Sequence, residues 1–318
     1  MRFTIRGAAL LLATLLAVGC GDDGGVTDED MGPEGPTDLG GGEPDLAPSD
    51  RDAFTPPGGE RFVLAAGDWS LAGGQEGYRC VRQTIDETIF VHEFYPIAPE
   101  GTHHTVVTYT TSPTYPDGVT PCNAGTNDPD MIYGSGVGTE PLILPEGVAV
   151  EIPAGSQILV NLHLYNTSSD ALTGNSGIEV VTMPESLVEN RAEVLLAGPL
   201  SFNIPAMTSG HVIDGQCTMA DDVTVFAVMP HMHQLGTAMT VRVGDDIIYE
   251  GTYTFDDQKY HDIAPELALA GGTRVGVTCT YDNPTSSSVG FGDSSDQEMC
   301  FALLYRYPAL GDGIFCPF

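Results

Sequence analysis

Ile158-Leu-Val-Asn-Leu-His-Leu-Tyr165 is a short apolar run, rich in strand-forming residues and too brief for a helix of ordinary length. Five more runs share its texture: Thr88-Ile-Phe-Val-His-Glu-Phe, Thr105-Val-Val-Thr-Tyr, Gly177-Ile-Glu-Val-Val-Thr, Val223-Thr-Val-Phe-Ala-Val-Met and Ala238-Met-Thr-Val-Arg-Val. Gly, Pro, Asn and Asp clusters bound them at intervals of about ten residues, the spacing of sandwiches and barrels. No helical periodicity is sustained over three turns. The 39 glycines and 23 prolines, with only 17% charged residues, also favour a turn-rich β protein. The expected fold is all-β: two tandem jelly-roll-like antiparallel β-sandwiches, residues 61–192 and 193–318, with a softer break near 184–191.

The remaining residues come before this folded part. Arg2 and Arg6 precede an apolar stretch at 8–18 that is too short to span a bilayer and ends in small residues, as an export signal does. Leu16-Ala17-Val18-Gly19-Cys20 resembles a bacterial lipobox, which implies cleavage after residue 19 and lipidation of Cys20. The expected location is therefore an exported lipoprotein, membrane-anchored at Cys20. Residues 21–60 hold twelve acids, one base (Arg51) and repeated Gly and Pro pairs. Such a segment is expected to form a disordered acidic tether, residues 20–60 with the anchor, of ~35 Å flexible reach.

The chain carries 44 acidic and 11 basic side chains, a formal charge of −33. Charge of that sign repels phosphate backbones and anionic lipid surfaces, so nucleic acid is excluded as a partner and membrane contact is limited to the anchor. The signal contributes +2, residues 21–60 contribute −11 and residues 61–318 contribute −24. A third of the charge thus belongs to the tether.

Apart from Cys20, six cysteines remain: Cys80, Cys122, Cys217, Cys279, Cys300 and Cys316. An even number in an exported chain argues for three disulfides, with fifteen possible connectivities. If each half closes its own bridges, Cys80 pairs with Cys122. With the thiols committed, a metal must be held by imidazole, carboxylate or thioether. Five of the eight histidines lie in compact settings: His103-His104, His163, and His231-Met-His233. His231 and His233 share one face of a strand. The adjacent His103 and His104 face opposite ways unless the chain twists there. Imidazole combined with thioether favours copper. His92, His211 and His261 read as surface or structural residues. Asp296 and Glu298 are candidates for hydrogen bonds to the metal loop. Asn166-Thr-Ser fits a glycosylation pattern.

In order, His103-His104, Asn161-Leu-His-Leu-Tyr165, His231-Met-His-Gln-Leu-Gly236 and Ser294-Ser-Asp-Gln-Glu-Met-Cys300 resemble the copper type II, ascorbate-dependent monooxygenases, the family of peptidylglycine α-hydroxylating monooxygenase and dopamine β-monooxygenase. The resemblance runs from Tyr78 to Cys316. It implies one copper on His103, His104 and His163, and a second, catalytic copper on His231, His233 and Met299. It also implies bridges Cys80–Cys122, Cys279–Cys300 and Cys217–Cys316. The family's reaction inserts one atom of O2 into an aliphatic C–H bond of a small substrate, with ascorbate or another one-electron donor as reductant. Where the peptidylglycine enzymes grip a carboxylate, this chain has Met229, Phe301 and Leu303, which implies a neutral, apolar or cationic substrate. The alternative is a copper-binding or electron-transfer lipoprotein without hydroxylase activity.

Overall fold

The structure, a computed structural model, describes residues 56–124, 130–294, 296–311 and 315–316. The expected signal, Cys20 and the tether up to residue 55 lie outside the described residues.

The first half contains β1 (Arg61–Leu71), β2 (Glu76–Thr84), β3 (Ile89–Ile97), β4 (Thr102–Thr110), β5 (Gly118–Pro121) and β6 (Asp130–Gly136). It continues with β7 (Leu142–Ile143), β8 (Val148–Ile152), β9 (Gln157–Tyr165), β10 (Leu172–Thr182) and β11 (Asn190–Arg191). The second half contains β12 (Glu193–Ala197), β13 (Asn203–Ile204), β14 (Thr208–Thr218), β15 (Val223–Met232) and β16 (Gly236–Val243). It closes with β17 (Asp246–Thr252), β18 (His261–Leu269), β19 (Arg274–Asn283), β20 (Val289–Gly290) and β21 (Cys300–Tyr307). Among the described residues the helical content is one 3₁₀ turn, Glu185–Leu187. The all-β expectation is met.

Among the described residues no sheet mixes strands from the two sides of Ala192. In the first half one sheet runs β1-β10-β3-β8-β11, with β7 beside β3, and the other runs β5-β2-β9-β4-β6. The chain crosses between these two sheets several times, so both contribute inner faces to one core. Pairing is antiparallel except between β11 and β8, where Asn190 and Arg191 run parallel to Val148 and Ala149. In the second half the sheets run β12-β21-β15-β18 and β14-β19-β16-β17, with β13 and β20 as a separate pair.

The hydrophobic core does not divide where the sheets do. Side chains alternate across a strand, so a sheet covered on both sides feeds two cores. In β21, Phe301, Leu303 and Tyr305 join a cluster with Leu162, Leu164, Tyr133 and Phe94 of the first half. The intervening Cys300, Ala302 and Leu304 join the second half's own cluster. β15 does the same, sending Ala227 and Met229 one way and Val228 and Met232 the other. The face of β15 that bears Met229 therefore looks toward the first half, and His231 and His233 continue it at the same period.

All three bridges implied by the resemblance are present: Cys80–Cys122, Cys217–Cys316 and Cys279–Cys300. The last ties β19 to the start of β21, directly after Met299. Backbone approach is close there. Gly198 has φ +153°, and a Cβ on it would lie 1.9 Å from the Cys300 carbonyl oxygen, so no side chain fits.

Candidate metal centre

A β-bulge solves the problem posed by adjacent histidines. On β9, Leu164 and His163 are consecutive, but their partners on β4 are Thr102 and His104. His103 is the extra residue, and the local twist of a bulge lets both imidazoles lie on one side. His163 reaches the same point from β9, on the face opposite the fully buried Ile158, Val160, Leu162 and Leu164.

One ring nitrogen from each of His103, His104 and His163 lies within 4.8 Å of the other two. His104 Nδ1 is 3.3 Å from His103 Nδ1 and 3.4 Å from His163 Nδ1. Two nitrogens about 2.0–2.1 Å from a shared ion, at a tetrahedral angle, would be about 3.3–3.4 Å apart. The donor set therefore fits a single first-row metal ion. Burial lowers the basicity of all three rings, that of His104 furthest, keeping them neutral with lone pairs to offer. Their outer nitrogens are also engaged. His163 Nε2 meets Glu76 Oε1 at 2.6 Å, and His103 Nε2 meets Asp256 Oδ1 at 3.3 Å. Carboxylates placed in this way fix a ligand ring's tautomer and orientation. Tyr78 stacks on His163, with centroids 4.7 Å apart.

His231 and His233 stand opposite this cluster, their own centroids 5.2 Å apart and that of His231 6.0 Å from His104. Glu298 organises this second group. Its carboxylate accepts from the backbone N–H of His233 at 2.9 Å and of Leu235 at 2.7 Å, and His233 Nδ1 donates to the Gln297 carbonyl at 2.9 Å. The segment bearing Met299 is thereby pinned to the His231-Met-His233 turn, and the Tyr281 hydroxyl holds the Met299 carbonyl at 2.6 Å. Burial pushes Glu298 up to about 7, against the pull of the backbone N–H groups that face it. Asp296 is exposed and does not share this role.

A loop at 253–260 crosses between the two groups. The Phe255 ring lies 4.4 Å from His103, 4.8 Å from His104 and 6.0 Å from His233. The Gln258 amide touches both His104 and His231, at 2.6 Å and 2.8 Å. Sequence reasoning missed Glu76, Phe255, Asp256 and Gln258, because their roles depend on long-range placement rather than on a motif. The other histidines stay apart from the site: His92 is buried with Nδ1 on the Val148 carbonyl, and His261 lies against Tyr249. The Asn166 amide donates to the Leu71, Ala72 and Asp170 carbonyls, a structural task.

Burial, followed by the neighbouring His233, pulls His231 down to about 3 from its ordinary 6.5. The unfolded chain then takes up that proton first as pH falls. Stability is full above 6.5 and is lost between 6.5 and about 3, at about 1.4 kcal/mol per pH unit for this group. Urea unfolding of chelator-treated protein across this range is expected to show the loss. His231→Gln should flatten the slope by about one proton, and an unchanged slope would refute the assignment.

Comparison with known proteins places the second half. Residues 190–316 match the family model described as copper type II ascorbate-dependent monooxygenase, C-terminal domain. Among solved structures, the chain is similar to PNGF-II at 8% identity and a TM-score of 0.27, covering 75% of this chain and 59% of that one. It is also similar to dimeric latent PorU from Porphyromonas gingivalis at 8% identity and a TM-score of 0.19, covering 74% of this chain and 25% of that one. Both likenesses are too slight to carry an argument.

Proposed function

We propose that the chain, whose residues 190–316 match the model of the copper type II ascorbate-dependent monooxygenase C-terminal domain, is a member of that family that hydroxylates an aliphatic C–H bond of a small substrate with O2 and a one-electron donor. The observation that carries this reading is the convergence of three neutral imidazoles, with His104 Nδ1 3.3 Å from His103 Nδ1 and 3.4 Å from His163 Nδ1, facing a second histidine pair. His103, His104 and His163 would hold one copper. His231, His233 and Met299 would hold the other. Bound copper supplies dioxygen chemistry and one-electron storage, and the Met299 thioether favours the reduced ion.

The chain's own residues do the rest. Glu76 and Asp256 orient His163 and His103. Glu298 holds the Met299 segment against His233. Phe255 fills space between the groups and keeps water from it. Met229 and Leu303 are paired across β15 and β21, as are His231 and Phe301, and all three apolar side chains are buried. No cation stands among these positions to meet a carboxylate, and a desolvated carboxylate without a partner is costly. The proposed substrate is therefore neutral, apolar or cationic.

Ascorbate-dependent oxygen uptake, measured over a panel of small amines, phenethyl compounds and lipids, tests the reading. Uptake with at least one of them, and none with glycine-extended peptides, is the expected result. Robust turnover of such a peptide would overturn the substrate class, and bound copper without any oxygen uptake would overturn the hydroxylase.

A further inference from the structure

Gln258 is fully buried and touches one histidine of each group. Its Nε2 donates to the Phe255 carbonyl at 3.0 Å and lies 2.6 Å from His104 Nε2, while its Oε1 lies 2.8 Å from His231 Nδ1. A carbonyl only accepts, so Phe255 fixes which end of the amide is nitrogen. His231 must then donate from Nδ1, which leaves its Nε2 lone pair free. His104 must accept at Nε2, so its proton sits on Nδ1. His103 and His163 direct their Nε2 atoms at the carboxylates of Asp256 and Glu76, which only accept, so their Nδ1 atoms carry lone pairs. One proton on His104 Nδ1, between those two lone pairs, satisfies the whole network.

An ion bound by all three Nδ1 atoms needs the position of that proton. Neutral His104 must then carry its hydrogen on Nε2, where it meets the amide N–H of Gln258. Turning the amide over carries its own cost, because its oxygen would face the Phe255 carbonyl and its NH2 would force the His231 proton onto Nε2, removing the lone pair there. We infer that Gln258 is a latch between His104 and His231 that opposes metal binding at the His103, His104 and His163 site and lets go when that site fills. The latch rests on reading those three histidines as a copper site. It makes the two groups antagonistic: the bridge that leaves His231 Nε2 free is the one that masks His104 Nδ1. Gln258 is thus a positioning residue, acting on copper only through the histidines it touches.

The test is a calorimetric titration of the full chain with copper(II), with His163→Ala used to identify the step that belongs to the triad. Gln258→Glu replaces the donor facing His104 with an acceptor at nearly the same volume, and is expected to tighten the triad step about tenfold or more. Gln258→Leu removes the bridge without replacing it, and is expected to tighten the step about three- to tenfold, the worth of one buried hydrogen bond. A merely structural glutamine would weaken binding when lost, so the sign decides. If the leucine chain does not fold, the glutamate chain carries the sign alone. A triad step as tight in the original chain as in the variants overturns the latch and leaves the two-site reading standing. Absence of any copper step removed by His163→Ala overturns both.

Discussion

Replacing Glu298 with alanine is expected to cost about 2–5 kcal/mol in unfolding free energy and to weaken copper binding by the His231, His233 and Met299 group about 10- to 100-fold. The side chain is almost wholly buried, and its two oxygens serve the N–H groups of His233 and Leu235. Alanine leaves both donors without an acceptor in a site that water cannot easily reach, and each costs about 1–3 kcal/mol. The second effect comes from position. Glu298 precedes Met299 and grips the turn carrying both histidines, so its loss frees the thioether segment from the imidazoles. Glu298→Gln keeps one acceptor oxygen and should show a smaller loss of both kinds. Urea unfolding and copper titration of the two variants measure these effects. Unchanged copper affinity in Glu298→Ala would show that the carboxylate does not organise the group.

The second large effect belongs to Arg306→Met, expected to destabilise the fold by about 3–5 kcal/mol without touching the histidines. Arg306 lies on β21 with its side chain 1% exposed, and it donates to Glu193 Oε1 from Nε at 3.0 Å and Nη2 at 2.7 Å. Glu193 also accepts from the backbone N–H groups of Leu310 and Gly311. Removing the guanidinium leaves a largely buried carboxylate short of its cation, which is dearer than replacing the whole pair with apolar groups. Arg306→Met combined with Glu193→Met should therefore recover part of the loss, though not all, because the two backbone donors lose their acceptor. Urea unfolding reads both. A double variant less stable than the single one would contradict the explanation.

Six strands, β3, β4, β9, β10, β15 and β16, were legible because β-branched and aromatic runs bounded by turn residues leave few other readings, whereas others such as β14 and β18 carry no such run. The six proposed ligands were legible because an adjacent histidine pair, a lone strand histidine, an H-x-H pair and a Glu-Met-Cys segment occur in a recognisable order. Other features were not legible. The bulge at His103 is a register shift between β4 and β9, and register belongs to a pair of strands rather than to one of them. The sharing of the β12-β21-β15-β18 sheet between two cores shows in sequence only as strands apolar at both parities, which any doubly covered sheet produces. The loop at 253–260 has no periodicity, so nothing marked Phe255 or Gln258 as neighbours of His104, about 150 residues away in the chain. Glu298 was legible as a neighbour of Met299, but its burial and its two backbone donors were not. Asp296, equally close in sequence, faces solvent.

The central claim is that two separate groups of three side chains each hold one copper. Metal analysis after copper loading and desalting tests it most directly, on the original chain and on His163→Ala and His233→Ala. About two coppers per chain, falling to about one in either variant, is the predicted result. A chain that retains no copper, or a stoichiometry that neither substitution lowers, would contradict it.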